Sequence, residues 1–174
     1  DILISNAGNA TSGMMLELDD KKLRKAFELN FFAHKSFAVE AAKIMKLQNR
    51  GGQILFNISK QAINPGSNMG AYGLPKATTM FLMRQLALEL GSNKIRVNGI
   101  NADRIRSGLL TDNFISERSK SRGISEQVYM EGNLLKQEVE AKHVAEGFRA
   151  LAQMKRTTGH ILTVDGGNTA AELR

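Results

Sequence analysis

The chain has 174 residues, 42% of them hydrophobic, enough for one domain with a core, and no apolar run approaches the ~20 residues that span a bilayer. It has no cysteine, which excludes disulfides, thiolate metal sites and cysteine nucleophiles, and its three histidines, His34, His143 and His160, show no metal-ligand spacing, so no metal is expected. A formal charge of +7 invites a nucleic-acid reading, but aromatics are only 6%, tryptophan is absent and the basic residues are scattered, so neither nucleic acid nor membrane is an expected partner.

The first apolar run, Ile2-Leu3-Ile4, reads as a strand running into the small-residue turn Asn6-Ala7-Gly8. No initiator methionine or targeting segment precedes it, and a cytoplasmic location is expected. Asp19 or Asp20 caps a long amphipathic helix predicted to run to about Leu47, with Leu23, Phe27, Phe31, Ala38, Ala41 and Met45 at helical spacing. Asn30 falls inside that pattern, where an asparagine reads either as part of a solvated face or as a functional group.

A polar, glycine-rich stretch at 48–52 punctuates the helix before a buried strand predicted over 53–58, which Ser59 ends. Asn64-Pro65-Gly66-Ser67-Asn68 reads as a turn or loop. A second long helix follows, starting near Ala71 or Tyr72 because Pro75 is tolerated only near a first turn, and ending at Gly91. Its predicted apolar face comprises Leu74, Ala77, Phe81, Leu82, Leu86 and Leu90. A strand over 95–100 leads into a long polar segment, 101–137, then a helix at 141–152 and a last strand at 160–164. Strands alternating with long helices imply an α/β, doubly wound parallel sheet, whose ligands sit at the carboxyl ends of its strands. Asn6, Ser59 and Asn101 all fall at such ends.

Tyr72 and Lys76 lie four residues apart, so a helix puts them on one face, one turn from each other. With the Ser59 hydroxyl facing them from a strand end, the three make a proton-transfer site. The phenol, with an ordinary pKa of about 10, must be brought nearer neutrality to act as acid or base, and a cation one turn away is expected to do that by favouring the phenolate. The spacing alone is a weak signal, and the plain alternative is a helix-surface pair.

The wider context strengthens it. Ser5-Asn6-Ala7-Gly8, the ordered set Asn30, Ser59, Tyr72 and Lys76, and Val164-Asp165-Gly166-Gly167 together resemble the short-chain dehydrogenase/reductase family from end to end of the sequence. The resemblance implies a Rossmann-like fold and an oxidoreductase using NAD or NADP on a small alcohol, aldehyde or ketone. It makes Tyr72 the general acid/base, while Lys76 lowers its pKa and holds the nicotinamide ribose. Ser59 stabilises charge on the substrate oxygen, and Asn30 kinks its helix and holds a water in a proton relay. Asn6, Ala7 and Gly8 become the turn beneath the cofactor. Residues 101–107 depart from the family pattern, with Ala102 and Asp103 replacing Pro and Gly; Ile105 offers backbone groups to the carboxamide, and Ser107 stands in for the usual Thr.

The resemblance also implies a homodimer or homotetramer built on the two long helices, where Phe37, Ile44, Met80, Met83 and Leu88 are extra apolar positions. The first three strands and the glycine-rich turn of the fold are not in the sequence. A longer polypeptide is therefore expected, with these 174 residues inactive alone. A narrower resemblance joins the Asn101-Ala102-Asp103 turn, residues 133–139 and the tail from Asp165 to Ala171 to the dehydrogenase half of bifunctional sugar-phosphate aldolase/short-chain dehydrogenases. The basic stretch from Arg104 to Arg122 reads either as a solvated loop or as a substrate lid suited to an anion. A non-catalytic interaction domain is the competing class, against which the complete set Asn30, Ser59, Tyr72 and Lys76 argues.

Overall fold

The structure, a computed structural model, describes residues 1–168; the end of the tail motif, Thr169 to Ala171, lies outside the described residues. Four parallel strands make one sheet in the order β1 (Ile2–Ser5), β2 (Gly52–Asn57), β3 (Ile95–Ala102) and β4 (Ile161–Val164). Each strand except β4 is followed by at least one helix before the next, so parallel pairing follows from the connections. The register aligns Ser5 with Phe56 and Asn57 with Ile100, which brings the carboxyl ends of β1, β2 and β3 level.

Helices cover both faces. On one lie α2 (Ala33–Gln48) and α3 (Gly70–Leu90), packed on Ile54, Phe56, Ile95 and Val97. On the other, α6 (Ala141–Gln153) packs Val144, Phe148 and Leu151 onto Leu55 and Ile100. Asn98, buried within β3, ties the last strand in: its amide donates to the Thr157 carbonyl and its oxygen accepts from the His160 backbone N–H.

The long N-terminal helix is not one α-helix. α1 (Asp20–Phe27), capped by the Asp19 carboxylate, passes through a π-turn at Glu28–Phe32 before α2 begins. The wider turn carries Asn30 inward, and single π-turns of this kind recur at functional sites. The face of α3 also differs from expectation. Leu86 and Leu90 are buried against the sheet as expected, but Leu74 and Phe81 are exposed, Met83 joins the core and Thr79 is buried against the π-turn. Pro75 falls in the second turn of α3, one turn later than a first-turn proline, its ring buried and its missing N–H leaving the Ala71 carbonyl without an intrahelical donor. The polar segment 101–137 holds two short helices, α4 (Asp112–Lys120) and α5 (Glu126–Met130), around a small core of Leu110, Ile115, Tyr129 and Met130.

Candidate active site

Beyond β2 the chain turns sharply. Ser59 caps a short 3-10 turn, Lys60–Ala62, its hydroxyl accepting from the Gln61 N–H at 3.2 Å. The first turns of α3 press against that turn. A Cβ on Gly73 would stand 2.8 Å from the Gln61 carbonyl oxygen, so only glycine lets helix and turn meet this closely. The contact brings the Tyr72 phenol into hydrogen-bond reach of Ser59. One turn on, Lys76 is 2% exposed and donates to the Asn57 carbonyl at 2.9 Å. Its Nζ lies 5.8 Å from the centre of the Tyr72 ring.

The Tyr72 phenol does not behave as the spacing suggested. Its pKa is raised above the ordinary 10.0, because burial penalises the phenolate more than the Ser59 hydrogen bond favours it. Lys76 itself is pushed down to about 8 by burial, and its ammonium is aimed at a backbone carbonyl rather than at the phenol oxygen. In this state Tyr72 is a neutral phenol with a proton to give.

Asn30 is fully buried, which removes the solvated-face reading. Its amide donates to the carbonyls of Asn9 (2.9 Å) and Ala26 (3.1 Å), and its oxygen accepts from the Asn9 N–H (3.2 Å). Its own carbonyl accepts from the Thr79 hydroxyl of α3 at 2.7 Å. Asn30 therefore clamps the turn after β1 to α3 and so fixes Gly8 against Lys76: a Cβ on Gly8 would lie 3.1 Å from Asn30 Oδ1 and 3.6 Å from Lys76 Nζ. Asn6 accepts from the Asn57 amide at 2.7 Å, tying the same turn to the end of β2.

All seven residues assigned to a cofactor by the sequence, Asn6, Ala7, Gly8, Tyr72, Lys76, Ile105 and Ser107, line one open cavity of about 650 Å³. Tyr72, Ile105 and Ser107 also line a smaller cavity of about 150 Å³, which Ser59, Arg104, Arg118 and Tyr129 complete. Ser107 caps the start of the following loop, accepting from the N–H groups of Leu109 and Leu110, both at 3.3 Å.

Sequence reasoning missed His34. It sits one turn after Asn30, 2% exposed, with Nδ1 2.6 Å from the Ser5 hydroxyl. Its Nε2 has no hydrogen-bond partner among the described residues. Burial, with Lys76 nearby adding to the effect, lowers its pKa to about 4, so it is neutral at pH 7. Its place at i+4 from Asn30 was the available signal, once Asn30 is taken as inward.

The similarities of the whole chain point to one family. A family profile described as enoyl-(acyl carrier protein) reductase matches residues 1–169. The uncharacterized oxidoreductase YuxG of Bacillus subtilis is 35% identical over the whole chain, which spans 26% of that protein. The 7alpha-hydroxysteroid dehydrogenase of Escherichia coli is 31% identical over 96% of the chain, which spans 63% of it. Among solved structures, a 4-hydroxyisoleucine dehydrogenase complexed with NADH superimposes with a TM-score of 0.81 at 26% identity, over 99% of this chain and 70% of that one. The chain belongs to the short-chain dehydrogenase/reductase family.

Proposed function

We propose that the protein is an NAD- or NADP-dependent oxidoreductase that interconverts a hydroxyl and a carbonyl, with Tyr72 as the proton-transfer residue. The observation that carries this reading is the convergence of Ser59, Tyr72 and Lys76 at the boundary of two adjoining cavities. The larger fits the nicotinamide end of such a cofactor. Gly8 has no side chain to fill the space beside Lys76, and only one of the three Lys76 donors is engaged among the described residues. Lys76 would hold the ribose hydroxyls, Asn6 to Gly8 the underside of the ring, and Ile105 and Ser107 its carboxamide side. A nicotinamide bound there supplies or accepts hydride.

The residues of this chain handle the proton. In reduction, Ser59 donates a hydrogen bond to the substrate oxygen and Tyr72 gives that oxygen its proton, for which a buried neutral phenol is suited. In oxidation the proton returns from the substrate hydroxyl to the Tyr72 phenolate. Asn30 keeps the Gly8 turn and α3 in register: its two amide hydrogens go to Asn9 and Ala26, and its oxygen accepts from the Asn9 N–H. Phosphate and adenosine contacts are assigned to polypeptide outside these 174 residues, which on this reading are inactive alone. Turnover of small alcohols and aldehydes by the full-length polypeptide, followed through reduced nicotinamide with each cofactor, tests the proposal. Tyr72→Phe should lower kcat by about 10²–10⁴-fold with cofactor affinity kept, and unchanged kcat would sink the assignment.

A homodimer or homotetramer is part of the same reading. Phe37 and Ile44 on α2, and Leu74, Phe81 and Leu88 on α3, are exposed at seven-residue spacing, a stripe along each helix. Met83, expected in that stripe, is instead buried in the core, and Met80 is half-buried. Phe81→Asp should shift sedimentation toward monomer at micromolar concentration; a wild-type protein already monomeric there contradicts the oligomer.

A further inference from the structure

The smaller cavity has a charge imbalance that proton transfer does not use. Arg104 and Arg118 line it together with Ser59 and Tyr72. Lys60 and Arg122 stand close enough to interact with them electrostatically. Lys60, Arg104 and Arg122 thus share one carboxylate, Asp103, which Lys60 and Arg104 each approach to 3.3 Å, and Arg118 has none among the described residues. The Asn168 amide also donates to that carboxylate.

Both cavity arginines are held by aromatic rings and backbone carbonyls, Arg104 by Asp103 as well. Arg104 lies over the Tyr129 ring at 4.8 Å, donates to the Tyr129 carbonyl, and occupies the left-handed backbone region at φ 53°. Arg118 packs 5.9 Å from the Phe114 ring and donates to the Ser67 carbonyl at 2.9 Å. Its Nε is buried with no hydrogen-bond partner, and among the described residues it makes no ion pair. The neighbouring Arg106 shows that acids are within reach of this segment: it is exposed and paired with both Asp112 (2.6 Å) and Glu138 (2.8 Å). Arg118 lines the cavity with no carboxylate among the described residues, beside Arg104, which shares Asp103 with Lys60. An anion in the cavity would give Arg118 the carboxylate or phosphate partner that this segment supplies to Arg106.

We infer that the substrate of this cavity carries an anionic group, a carboxylate or a phosphate, that pairs with Arg118 and Arg104 while Ser59 and Tyr72 hold its reacting oxygen. A planar guanidinium fork matches either anion with paired hydrogen bonds. The volume of about 150 Å³, below the ~300–1,000 Å³ of most small-molecule pockets, selects a compact molecule. The reacting end of this statement rests on the oxidoreductase reading; the anion site does not.

Calorimetry on the full-length polypeptide with malonate and with inorganic phosphate tests the anion site without turnover. At least one should bind, with affinity falling about tenfold or more in Arg118→Gln, partly restored in Arg118→Lys, and unchanged in Arg50→Gln, a remote exposed arginine. Preference for malonate identifies a carboxylate, and preference for phosphate a phosphoryl group. Binding of neither, or binding indifferent to Arg118→Gln, overturns the inference. Kinetics then match neutral against anionic aldehydes: butyraldehyde against succinic semialdehyde, and glyceraldehyde against its 3-phosphate. The anionic member of one pair should be preferred, and Arg118→Gln should erase the preference; equal kcat/KM within both pairs contradicts it. Anion binding without turnover of any aldehyde would count against the oxidoreductase reading alone.

Discussion

Two walls of the small cavity hold charge in opposite ways. The wall made by α3 and the 59–62 turn holds the reacting phenol neutral: Tyr72 is pushed toward the protonated form, and Lys76, behind it at the larger cavity, is buried with a lowered pKa against a backbone carbonyl. The wall made by residues 103–130 keeps charge up, with Arg104 and Arg118 set against the Tyr129 and Phe114 rings and Asp103 reaching across to Lys60 of the first wall. The first wall is fixed by backbone packing and suits proton transfer. The second is fixed by aromatic faces and suits recognition. Their difference teaches that the reacting group and the binding group are set by different contacts, while the Lys60–Asp103 pair and the Arg118–Ser67 hydrogen bond join the two walls.

The comparison breaks most sharply at Gly73. Gly73→Ala places a Cβ 2.8 Å from the Gln61 carbonyl, which is backbone and cannot swing away. Tyr72 must then move off Ser59, and kcat should fall by about 10²-fold while anion binding is kept. Joint loss of both functions would mean the walls are one unit. Calorimetry beside kinetics on that variant separates the outcomes.

His34 sharpens the comparison through pH. Its folded pKa, about 4, lies below the ordinary 6.5, so between those values the unfolded chain binds the extra proton. The neutral ring's contribution is present above pH 6.5 and is lost as pH falls toward 4, a loss of roughly 3 kcal/mol. His34→Gln, which does not titrate, should flatten the stability profile in that window, read as denaturant midpoints at pH 7 and pH 4.5. An unchanged profile would place the acid sensitivity elsewhere.

Lys76 predicts the reverse edge of the range. Its folded pKa of about 8 lies below 10.5, so the unfolded chain binds more protons between those values and stability from this group rises with pH across them. Lys76→Met should remove that rise. Because other groups titrate in the same window, this is the smallest difference to resolve.

The proton-transfer wall was legible in the sequence because its chemistry is local. Tyr72 and Lys76 share a helix turn, and Ser59 ends an apolar run, so period and strand end suffice to bring them together. The parallel sheet was legible for the same reason, through strands alternating with amphipathic helices. The Tyr72 pKa was not, since spacing says where a cation lies but not how deeply a phenol is buried. Nor was His34, whose inward turn depends on the π-turn at Glu28–Phe32. The buried face of α3 was legible at Leu86 and Leu90 but not at its start, where Thr79 packs inward on the Asn30 carbonyl while Leu74 and Phe81 face out, a tertiary choice that hydrophobicity alone does not show. The arginine stretch left loop and lid both open, because pairing with Asp112 and Glu138 versus aromatic stacking is decided by folding.

The most direct test of the division between the walls is a spectrophotometric tyrosinate titration of the cofactor-free protein. With only Tyr72 and Tyr129 present, subtracting the Tyr72→Phe curve isolates one phenol. The account predicts that Tyr72 stays protonated up to and beyond pH 10.0, held neutral by burial. Ionisation near neutral pH would contradict it, and would return control of the phenol to Lys76.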